Sequence, residues 1–315
     1  MVILVVSRNI LSISNNEVTK LLSIREAIEL LEIFFKKNKT VTPARTYINL
    51  EKENIVLTCG DVEDDNISGF RAYWQFNNSQ KFTDHITVVV DNIQNKLKGI
   101  ITGNNLGFIR TGAIGGIAIN YLSNKNSKIL GVLGTGSQAK SQVLAALYVR
   151  SFEKVVIYSR NKENIYNFIK DIKEEHFNNI EFISASCCEE VVTQADVLIC
   201  ATNSKDPLFP KEWLKPGVHI NAIGPKGLRE HEIGIDVLDN CDFIFTDSLN
   251  QVYEYPTKTL LSISKLYNSI LDLPNLLQEN MIIPERKEHT ISLFYSVGLS
   301  GTEVYLGNKI LEKIR

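Results

Sequence analysis

Residues 128–149 constrain the fold most, because they combine a strand, a glycine turn and a helix in immediate succession. The apolar run at residues 129–133 is typical of a strand that is buried on both faces. The turn after it has the pattern G-x-G-x-x-A and consists of Gly134, Thr135, Gly136, Ser137, Gln138 and Ala139. The first glycine permits a tight turn, the second lets a pyrophosphate approach the backbone, and the alanine keeps the helix close to the strand. The segment therefore predicts a dinucleotide site, with the phosphates at the N-terminus of the helix.

The rest of the chain predicts an α/β protein of two domains. After the glycine turn, strands alternate with helices, which predicts a doubly wound parallel sheet of the Rossmann type. Its later strands are expected at residues 154–158, 180–184, 195–201, 217–223, 243–247 and 290–297. Short β-rich runs at residues 41–101, separated by Asn- and Asp-rich turns, instead predict a mixed or antiparallel sheet in a second, α+β domain. We expect one domain of residues 1–124 with 299–315 and a dinucleotide-binding domain of residues 125–298.

Two helical segments carry further expectations. Apolar residues at helical spacing over residues 15–37 predict two short helices that are separated near Ser23. Residues 108–123 also have a helical pattern but contain Gly112, Gly115 and Gly116. Because each glycine costs a helix about 1 kcal/mol relative to alanine, this segment is expected to pack tightly against a neighbour.

Composition excludes several classes of protein. The 315 residues are 44% hydrophobic and 22% charged, and the net charge of −2 gives no reason to expect nucleic acid or a membrane as a partner. The apolar N-terminal run MVILVV is too short for a signal core or a membrane span, and predicts a first strand or the approach to one. The five cysteines form no C-x-x-C pair, which favours reduced thiols in a cytoplasmic protein. The five histidines have no metal-ligand spacing, so no metal site is expected, and His219 is interpreted as a core histidine.

The residues after the second strand of the nucleotide domain bear on the choice of cofactor. Ser159, Arg160 and Asn161 follow that strand, and no acidic residue occurs before Glu163. A carboxylate at this point binds the ribose 2′-hydroxyl of NAD, whereas an arginine accommodates the 2′-phosphate of NADP. We therefore expect NADP(H), with NAD(H) as the alternative. An Arg160 that stacks on the adenine or faces solvent would also fit the sequence.

Several separated blocks make the sequence similar to the ornithine cyclodeaminase/mu-crystallin family. They are the glycine turn and residues 42–45 (TPAR), 69–71 (GFR), 110–113 (RTGA), 213–224 (WLKPGVHINAIG) and 293–298 (LFYSVG). Members of this family use NAD(H) or NADP(H) on amino or imino acids. The resemblance implies a small amino or imino acid as substrate, and a homodimer built by the first domain.

The resemblance also implies a set of site residues. Arg45, Arg71 and Arg110 match family positions that bind a substrate carboxylate, which suits the paired N–H donors of a guanidinium. Thr111 either caps the glycine-rich helix, which is expected to follow Arg110, or touches the cofactor. Further cofactor contacts are expected at the ends of strands and in the last block, at Ala201, Thr202, Asn203, Ile223, Gly224, Ser296, Val297 and Gly298.

Two departures from the family pattern narrow the reaction. Arg71 stands where the family usually has lysine, so this candidate catalytic position keeps its charge but is a poor proton shuttle. Lys226 stands two residues after Gly224, where cyclodeaminases carry an aspartate that pairs with the substrate amine. A second ammonium about 4 Å from Lys226 would be repelled by about 4 kcal/mol at an effective dielectric constant of about 20. This argues against ornithine cyclodeamination. It permits a substrate with an added acidic group, or makes Lys226 a candidate proton donor, unless Lys226 points to solvent.

These features predict an NAD(P)H-dependent oxidoreductase that acts on the C=N or CH–NH bond of an imino or amino acid. It would be an imine or ketimine reductase, or in reverse an amino-acid or opine-type dehydrogenase. Two alternatives stay open. One is an ornithine cyclodeaminase-type lyase that retains its NAD, and the other is a non-catalytic protein of the mu-crystallin type that binds cofactor and ligand.

Overall fold

The chain divides into two compact units. The computed structural model describes residues 10–37, 40–76, 84–175, 177, 179–255, 257–278 and 285–314, so the run MVILVV lies outside the described residues. Unit 1 comprises Met1–Ser23, Lys39–Gly107 and Ser300–Arg315, and unit 2 comprises Ile24–Asn38 and Phe108–Leu299. The expected roles of residues 125–298 in dinucleotide binding, and of 1–124 with 299–315 in substrate binding and dimerisation, stay predictions.

The described residues contain fifteen strands and ten α-helices. The strands are β1 (Leu11–Ile13), β2 (Thr40–Val41), β3 (Thr46–Asn49), β4 (Glu53–Val62), β5 (Ile67–Phe76), β6 (Ile86–Asp91), β7 (Lys96–Thr102), β8 (Ile129–Leu133), β9 (Lys154–Tyr158), β10 (Glu181–Ser184), β11 (Val197–Cys200), β12 (His219–Ala222), β13 (Phe243–Thr246), β14 (Leu271–Asp272) and β15 (Ser292–Tyr295). The helices are α1 (Asn15–Leu21), α2 (Ile24–Lys36), α3 (Asn105–Leu122), α4 (Ser137–Val149), α5 (Lys162–Glu174), α6 (Cys188–Val192), α7 (Ile235–Asp239), α8 (Leu249–Tyr253), α9 (Leu273–Leu277) and α10 (Thr302–Lys313). Among these residues, no helix has both the length and the apolar character that crossing a membrane requires.

Unit 1 is built on a seven-stranded sheet with α10 packed on one face. The strand order is β1-β7-β6-β5-β4-β2, and β3 also pairs with β4. β1 and β7 are parallel, whereas the other described pairs are antiparallel. Gly99 lets the helix approach closely, since a Cβ there would lie 2.5 Å from Cδ2 of Leu311. The mixed sheet expected over residues 41–101 is confirmed.

Unit 2 is built on an eight-stranded sheet in which every described pair is parallel. Its order is β10-β9-β8-β11-β12-β15-β13-β14, which confirms the doubly wound, Rossmann-type sheet. The direction of winding changes at β8, whose neighbours are β9 and β11, and ligands of such sheets bind outside the carboxyl ends of the strands at this point. Two details were not expected from the sequence: β14 itself, and the position of β15 between β12 and β13.

The glycines of α3 allow its backbone to lie directly against α4. A Cβ at Gly112 would lie 2.6 Å from the carbonyl oxygen of Ser141, and one at Gly115 would lie 2.0 Å from Oε1 of Gln142. The expected tight packing of this helix is therefore confirmed, as is the break between α1 and α2 near Ser23.

A buried chain of polar side chains ties α3 and α4 to the sheet. Asn221 donates through Nδ2 to the carbonyl of Gly115 at 3.1 Å and to Oε1 of Gln142 at 3.0 Å. Gln142 in turn donates to the carbonyl of Thr111 at 2.8 Å. Burial, with a contribution from the charge of Arg286, lowers the pKa of His219 to about 3, so its ring is neutral and lies 2.9 Å from Oδ1 of Asn221. The interpretation of His219 as a core histidine is confirmed.

The contact between α3 and α4 predicts a large effect of a single methyl group. Gly112→Ala should lower the free energy of unfolding by about 2 kcal/mol, because the Cβ would overlap backbone that cannot move aside. Urea unfolding measures this change. Gly227→Ala is the matched control, since its Cβ would meet an atom no closer than 3.4 Å, and it should change stability by less than about 0.5 kcal/mol. Equal stability of the two variants would contradict the prediction.

Candidate functional site

The glycine turn lies against the end of β11. Gly134 has a φ of +107°, and a Cβ there would lie 2.3 Å from the carbonyl oxygen of Ala201. Only glycine fits both the backbone conformation and the space. The N–H of Gly134 donates to the carbonyl of Tyr158 at 2.9 Å, and Ala139 is fully buried where α4 meets the sheet. The turn is thus fixed by β9 on one side and β11 on the other.

The second half of the turn has room and hydrogen-bonding capacity for an anion. A Cβ at Gly136 would meet no atom within 4 Å. Gly136 is also the N-cap of α4, and no side chain caps the helix, which begins at Ser137. Nearby, Oε1 of Gln138 is buried and has no hydrogen-bond partner among the described residues. An open backbone at an uncapped helix N-terminus fits the pyrophosphate of a dinucleotide.

The residues predicted to select the cofactor follow β9. Thr135 donates through Oγ1 to Oγ of Ser159 at 3.2 Å, which links the glycine turn to this segment. Arg160 is exposed. Asn161 caps α5, because its side chain accepts the N–H of Glu163 at 2.9 Å. This cap occupies one acceptor of Asn161, which lies between the exposed cationic side chains of Arg160 and Lys162.

Glu232, which sequence reasoning missed, joins the ends of β11 and β12. Its Oε2 accepts from the N–H and the hydroxyl of Thr202, at 2.9 Å and 2.8 Å. Its Oε1 accepts from the N–H of Gly224. Burial raises the pKa of Glu232, although the charge of Lys226 and these hydrogen bonds oppose the rise. Only one feature of the sequence indicates this residue: it is a carboxylate just before an apolar segment, in a loop after a buried strand.

Lys226 folds back on the end of its own strand. Its Nζ donates to the carbonyl of Ile223 at 2.7 Å and to that of Gly224, and lies 5.6 Å from the ring centroid of Tyr295. The residue is half-buried, and Tyr295 is buried beside it. Its ammonium therefore belongs to the carboxyl edge of the sheet, where Thr202 and the exposed Asn203 also lie.

A second buried carboxylate holds the segment after β15. Asp247 accepts from the N–H groups of Val297 and Gly298, at 2.8 Å and 3.0 Å, and Ser296 donates to it at 3.3 Å. The predicted cofactor contacts at these three residues thus lie on backbone that Asp247 fixes. In the sequence, Asp247 can be recognised as an acidic residue that directly follows a buried strand.

The position of Arg110 in its helix corrects the sequence analysis. α3 begins at Asn105, so Arg110 and Thr111 lie inside the helix, and Thr111 is not a cap. The helix begins earlier because the N–H of Asn105 donates to Oδ1 of Asn15 at 2.8 Å, a partner 90 residues away. Arg110 belongs to unit 2 and is 6% exposed.

The other two predicted carboxylate ligands belong to unit 1. Arg71 is 6% exposed, and its Nη1 forms an ion pair with Oε1 of Glu303 at 2.9 Å. Its Nη2 donates to Nδ1 of His85, and its guanidinium stacks on the ring of Tyr73 at 4.8 Å. These contacts hold the guanidinium in one orientation. Arg45 is half-buried and directly precedes β3.

Within the described ranges, no group of three or more His, Cys, Asp or Glu residues could hold a metal ion. The five cysteines are free thiols. The candidate groups for binding are the glycine turn, the carboxyl edge of the parallel sheet and the arginines described above.

A parallel sheet with a glycine turn at its switch point defines a Rossmann-type dinucleotide-binding fold. The model of the ornithine cyclodeaminase/mu-crystallin family matches residues 9–315, and the chain belongs to this family. It is 28% identical over 317 residues to a Delta(1)-pyrroline-2-carboxylate reductase from Bacillus cereus, covering 96% of both chains. It is 29% identical over 218 residues to ketimine reductase mu-crystallin from Macropus fuliginosus, covering 69% of this chain and 65% of the relative.

A solved structure shares the fold over nearly the whole chain. The Delta(1)-pyrroline-2-carboxylate reductase of Thermococcus litoralis, in complex with NADH and L-proline, superposes with a TM-score of 0.86 at 25% identity. The match covers 96% of this chain and 97% of that one. Its name and the names of the two relatives above describe reductases.

The half-buried carboxyl of Asp272, at the end of β14, predicts a pH dependence of stability. Burial, with a contribution from the charge of Asp247, raises its pKa from the usual 3.8 to about 6. Between these values the folded state binds more protons than the unfolded state, so the contribution of Asp272 to stability falls as the pH rises from about 4 to about 6.

Asp272→Asn removes this charge and should raise the free energy of unfolding by about 1–2 kcal/mol near pH 8, and by less near pH 4. Urea unfolding at the two pH values measures the difference. The exposed Asp64→Asn is the control and should change stability little at either pH. A variant that gains no stability near pH 8 would show that the raised pKa is wrong.

Proposed function

We propose that this protein is an NAD(P)H-dependent reductase that acts on the C=N bond of a small imino acid, next to its carboxylate. The observation that supports this most is the open backbone at Gly136, which fits a pyrophosphate, in a chain that is 28% identical to a Delta(1)-pyrroline-2-carboxylate reductase. In reverse, the same reaction oxidises an amino acid.

The protein must hold the substrate carboxylate in one orientation, since the cofactor supplies the hydride when it is bound. Arg45, Arg71 and Arg110 are the proposed ligands of the carboxylate. Arg71 suits the role because Glu303 and His85 fix its guanidinium before any ligand arrives. A pre-oriented fork of N–H donors loses little entropy when it binds two carboxylate oxygens.

Reduction of an imine also requires a proton at the nitrogen, and Lys226 is the proposed donor. Its ammonium lies at the carboxyl edge of the sheet, where two backbone carbonyls orient it. The same positive charge disfavours a diamino acid such as ornithine.

The proposed cofactor is NADP(H). The exposed Arg160 follows β9, and no acidic residue precedes Glu163 in this segment. A guanidinium there stabilises a 2′-phosphate, whereas NAD(H) offers it only a hydroxyl. NAD(H) is the alternative, since the Thermococcus litoralis relative is in complex with NADH.

A panel of substrates tests the proposal. Nicotinamide absorbance is followed while cyclic imino acids with five- and six-membered rings, and pairs of an amine and a 2-oxo acid, are presented with NADPH or NADH. We expect oxidation of the cofactor with at least one cyclic imino acid, and a Kd at least about tenfold lower for NADPH than for NADH. Ammonia release from ornithine without net cofactor turnover would instead indicate a cyclodeaminase. Tight cofactor binding with no turnover of any compound would indicate a binding protein.

We also propose that the protein is a homodimer, formed through the face of the unit 1 sheet that α10 leaves uncovered. Cross-strand pairs place Cys59, Phe70, Val88 and Ile100 on this face. Phe70 is 38% exposed, and a contiguous apolar face of this kind is typical of an interface. The alanine dehydrogenase with bound NAD that shares this fold at 23% identity is described as a dimer.

Charge on this face should prevent association. Phe70→Glu is expected to convert the dimer to a monomer, because a carboxylate would be buried without a partner in the interface. Light scattering after size exclusion measures the mass. Tyr166→Glu is the matched control, since Tyr166 is an exposed aromatic residue of unit 2 and should leave the mass unchanged. A wild-type monomer, or a dimer that survives Phe70→Glu, would contradict the proposal.

A further inference from the structure

One carboxylate sets the spacing of two strand ends in unit 2. Glu232 accepts from the N–H and hydroxyl of Thr202, at 2.9 Å and 2.8 Å, and from the N–H of Gly224. Thr202 lies two residues beyond β11, and Gly224 lies two residues beyond β12. The strands are paired in register up to Cys200 and Ala222, and beyond that point Glu232 bridges them.

Two glycines allow the backbone to lie close to this bridge. A Cβ at Gly224 would lie 2.4 Å from Cδ of Glu232, so only glycine admits the carboxylate there. On the other side, a Cβ at Gly134 would lie 2.3 Å from the carbonyl oxygen of Ala201 and 3.2 Å from Cγ2 of Thr202. Ala201 and Thr202 therefore lie close beside the glycine turn.

Burial of the charged carboxylate costs free energy, which points to a role of Glu232 beyond packing. Glu232 is 1% exposed, and burial disfavours its charged form. The three hydrogen bonds that Glu232 accepts and the charge of Lys226 offset part of that cost. Burial of an apolar side chain would avoid the cost altogether, but could not hold two backbone N–H groups at a fixed separation.

We propose that Glu232 is a positioning residue for the dinucleotide. It holds Thr202 and Gly224 so that the edge next to the glycine turn has the shape that the cofactor requires. It does not touch the cofactor itself in this role. The inference rests on the proposed function for the identity of the ligand, and on the hydrogen bonds above for the mechanism.

Glu232→Gln tests this, because the amide NH₂ would face an N–H donor on one side or the other and break the bridge there. We expect the Kd of NADPH, measured by nicotinamide fluorescence, to rise at least about tenfold, with a higher KM for the cofactor and a smaller change in kcat. Thermal unfolding verifies that the variant is folded at the temperature of the titration. Glu230 lies in the same loop as Glu232, is exposed and pairs with Lys205. Glu230→Gln removes its carboxylate and should leave the Kd within about twofold.

Thr202→Val is the second variant. It keeps the shape of the side chain and deletes the hydroxyl, which donates to Glu232 and accepts from the N–H of Ser204. It should weaken NADPH binding about threefold in the wild type and have a smaller effect in Glu232→Gln, because the hydroxyl of Thr202 acts through the carboxylate of Glu232. A folded Glu232→Gln that binds NADPH as tightly as the wild type would overturn the inference. If Glu232→Gln does not fold, an unchanged Kd in Thr202→Val would overturn it. A wild type that binds neither NADPH nor NADH would overturn the proposed function instead.

Discussion

The close approach of the glycine turn to the end of β11 is the constraint on which unit 2 depends. β8 and β11 are parallel neighbours, paired up to Leu133 and Cys200, so both chains leave the sheet side by side. The segment that follows β8 must turn away at once, which the φ of +107° at Gly134 permits. No side chain fits between Gly134 and the carbonyl of Ala201. α4 begins directly after this turn, at the carboxyl edge of the sheet. The N–H groups of its first turn therefore point toward that edge.

Buried polar groups hold that edge in shape around an apolar core. Glu232 bridges β11 and β12, and Asp247 binds the backbone that follows β15. Farther back, Asn221 and Gln142 tie α3 and α4 to the sheet. Each of these side chains satisfies backbone groups or amides that would be costly to bury without partners. The result is a sheet edge whose backbone groups are held in place by buried hydrogen bonds.

Much of the fold could be predicted because burial is visible in local sequence patterns. Apolar runs predict the parallel strands, the three glycines of α3 predict close packing, and the G-x-G-x-x-A pattern predicts the turn between β8 and α4. The misses are contacts between distant residues. The start of α3 depends on Asn15, 90 residues earlier, and β15 inserts between β12 and β13 although it follows both in the chain.

In the candidate site, too, the residues with a local sequence pattern were predicted and those defined by distant contacts were missed. The glycine turn was predicted from its own spacing, whereas Glu303, the partner of Arg71, lies 232 residues away and has no local signal. Glu232 is similar, because its partners are defined by the pairing of strands and not by its neighbours in sequence. The roles of the three arginines came from the family resemblance and stay predictions.

The central claim is that the open backbone at Gly136 receives the pyrophosphate of a nicotinamide dinucleotide. Titration of NADPH and NADH into the wild type and Gly136→Val tests it most directly. The φ of −81° and ψ of 179° suit valine, and a Cβ there meets no atom within 4 Å, so the free energy of unfolding should change by no more than about 1 kcal/mol. The account predicts that the variant stays folded and loses at least about tenfold in affinity for the dinucleotide, because the side chain fills the space of the phosphates. Unchanged affinity in the folded variant would contradict it.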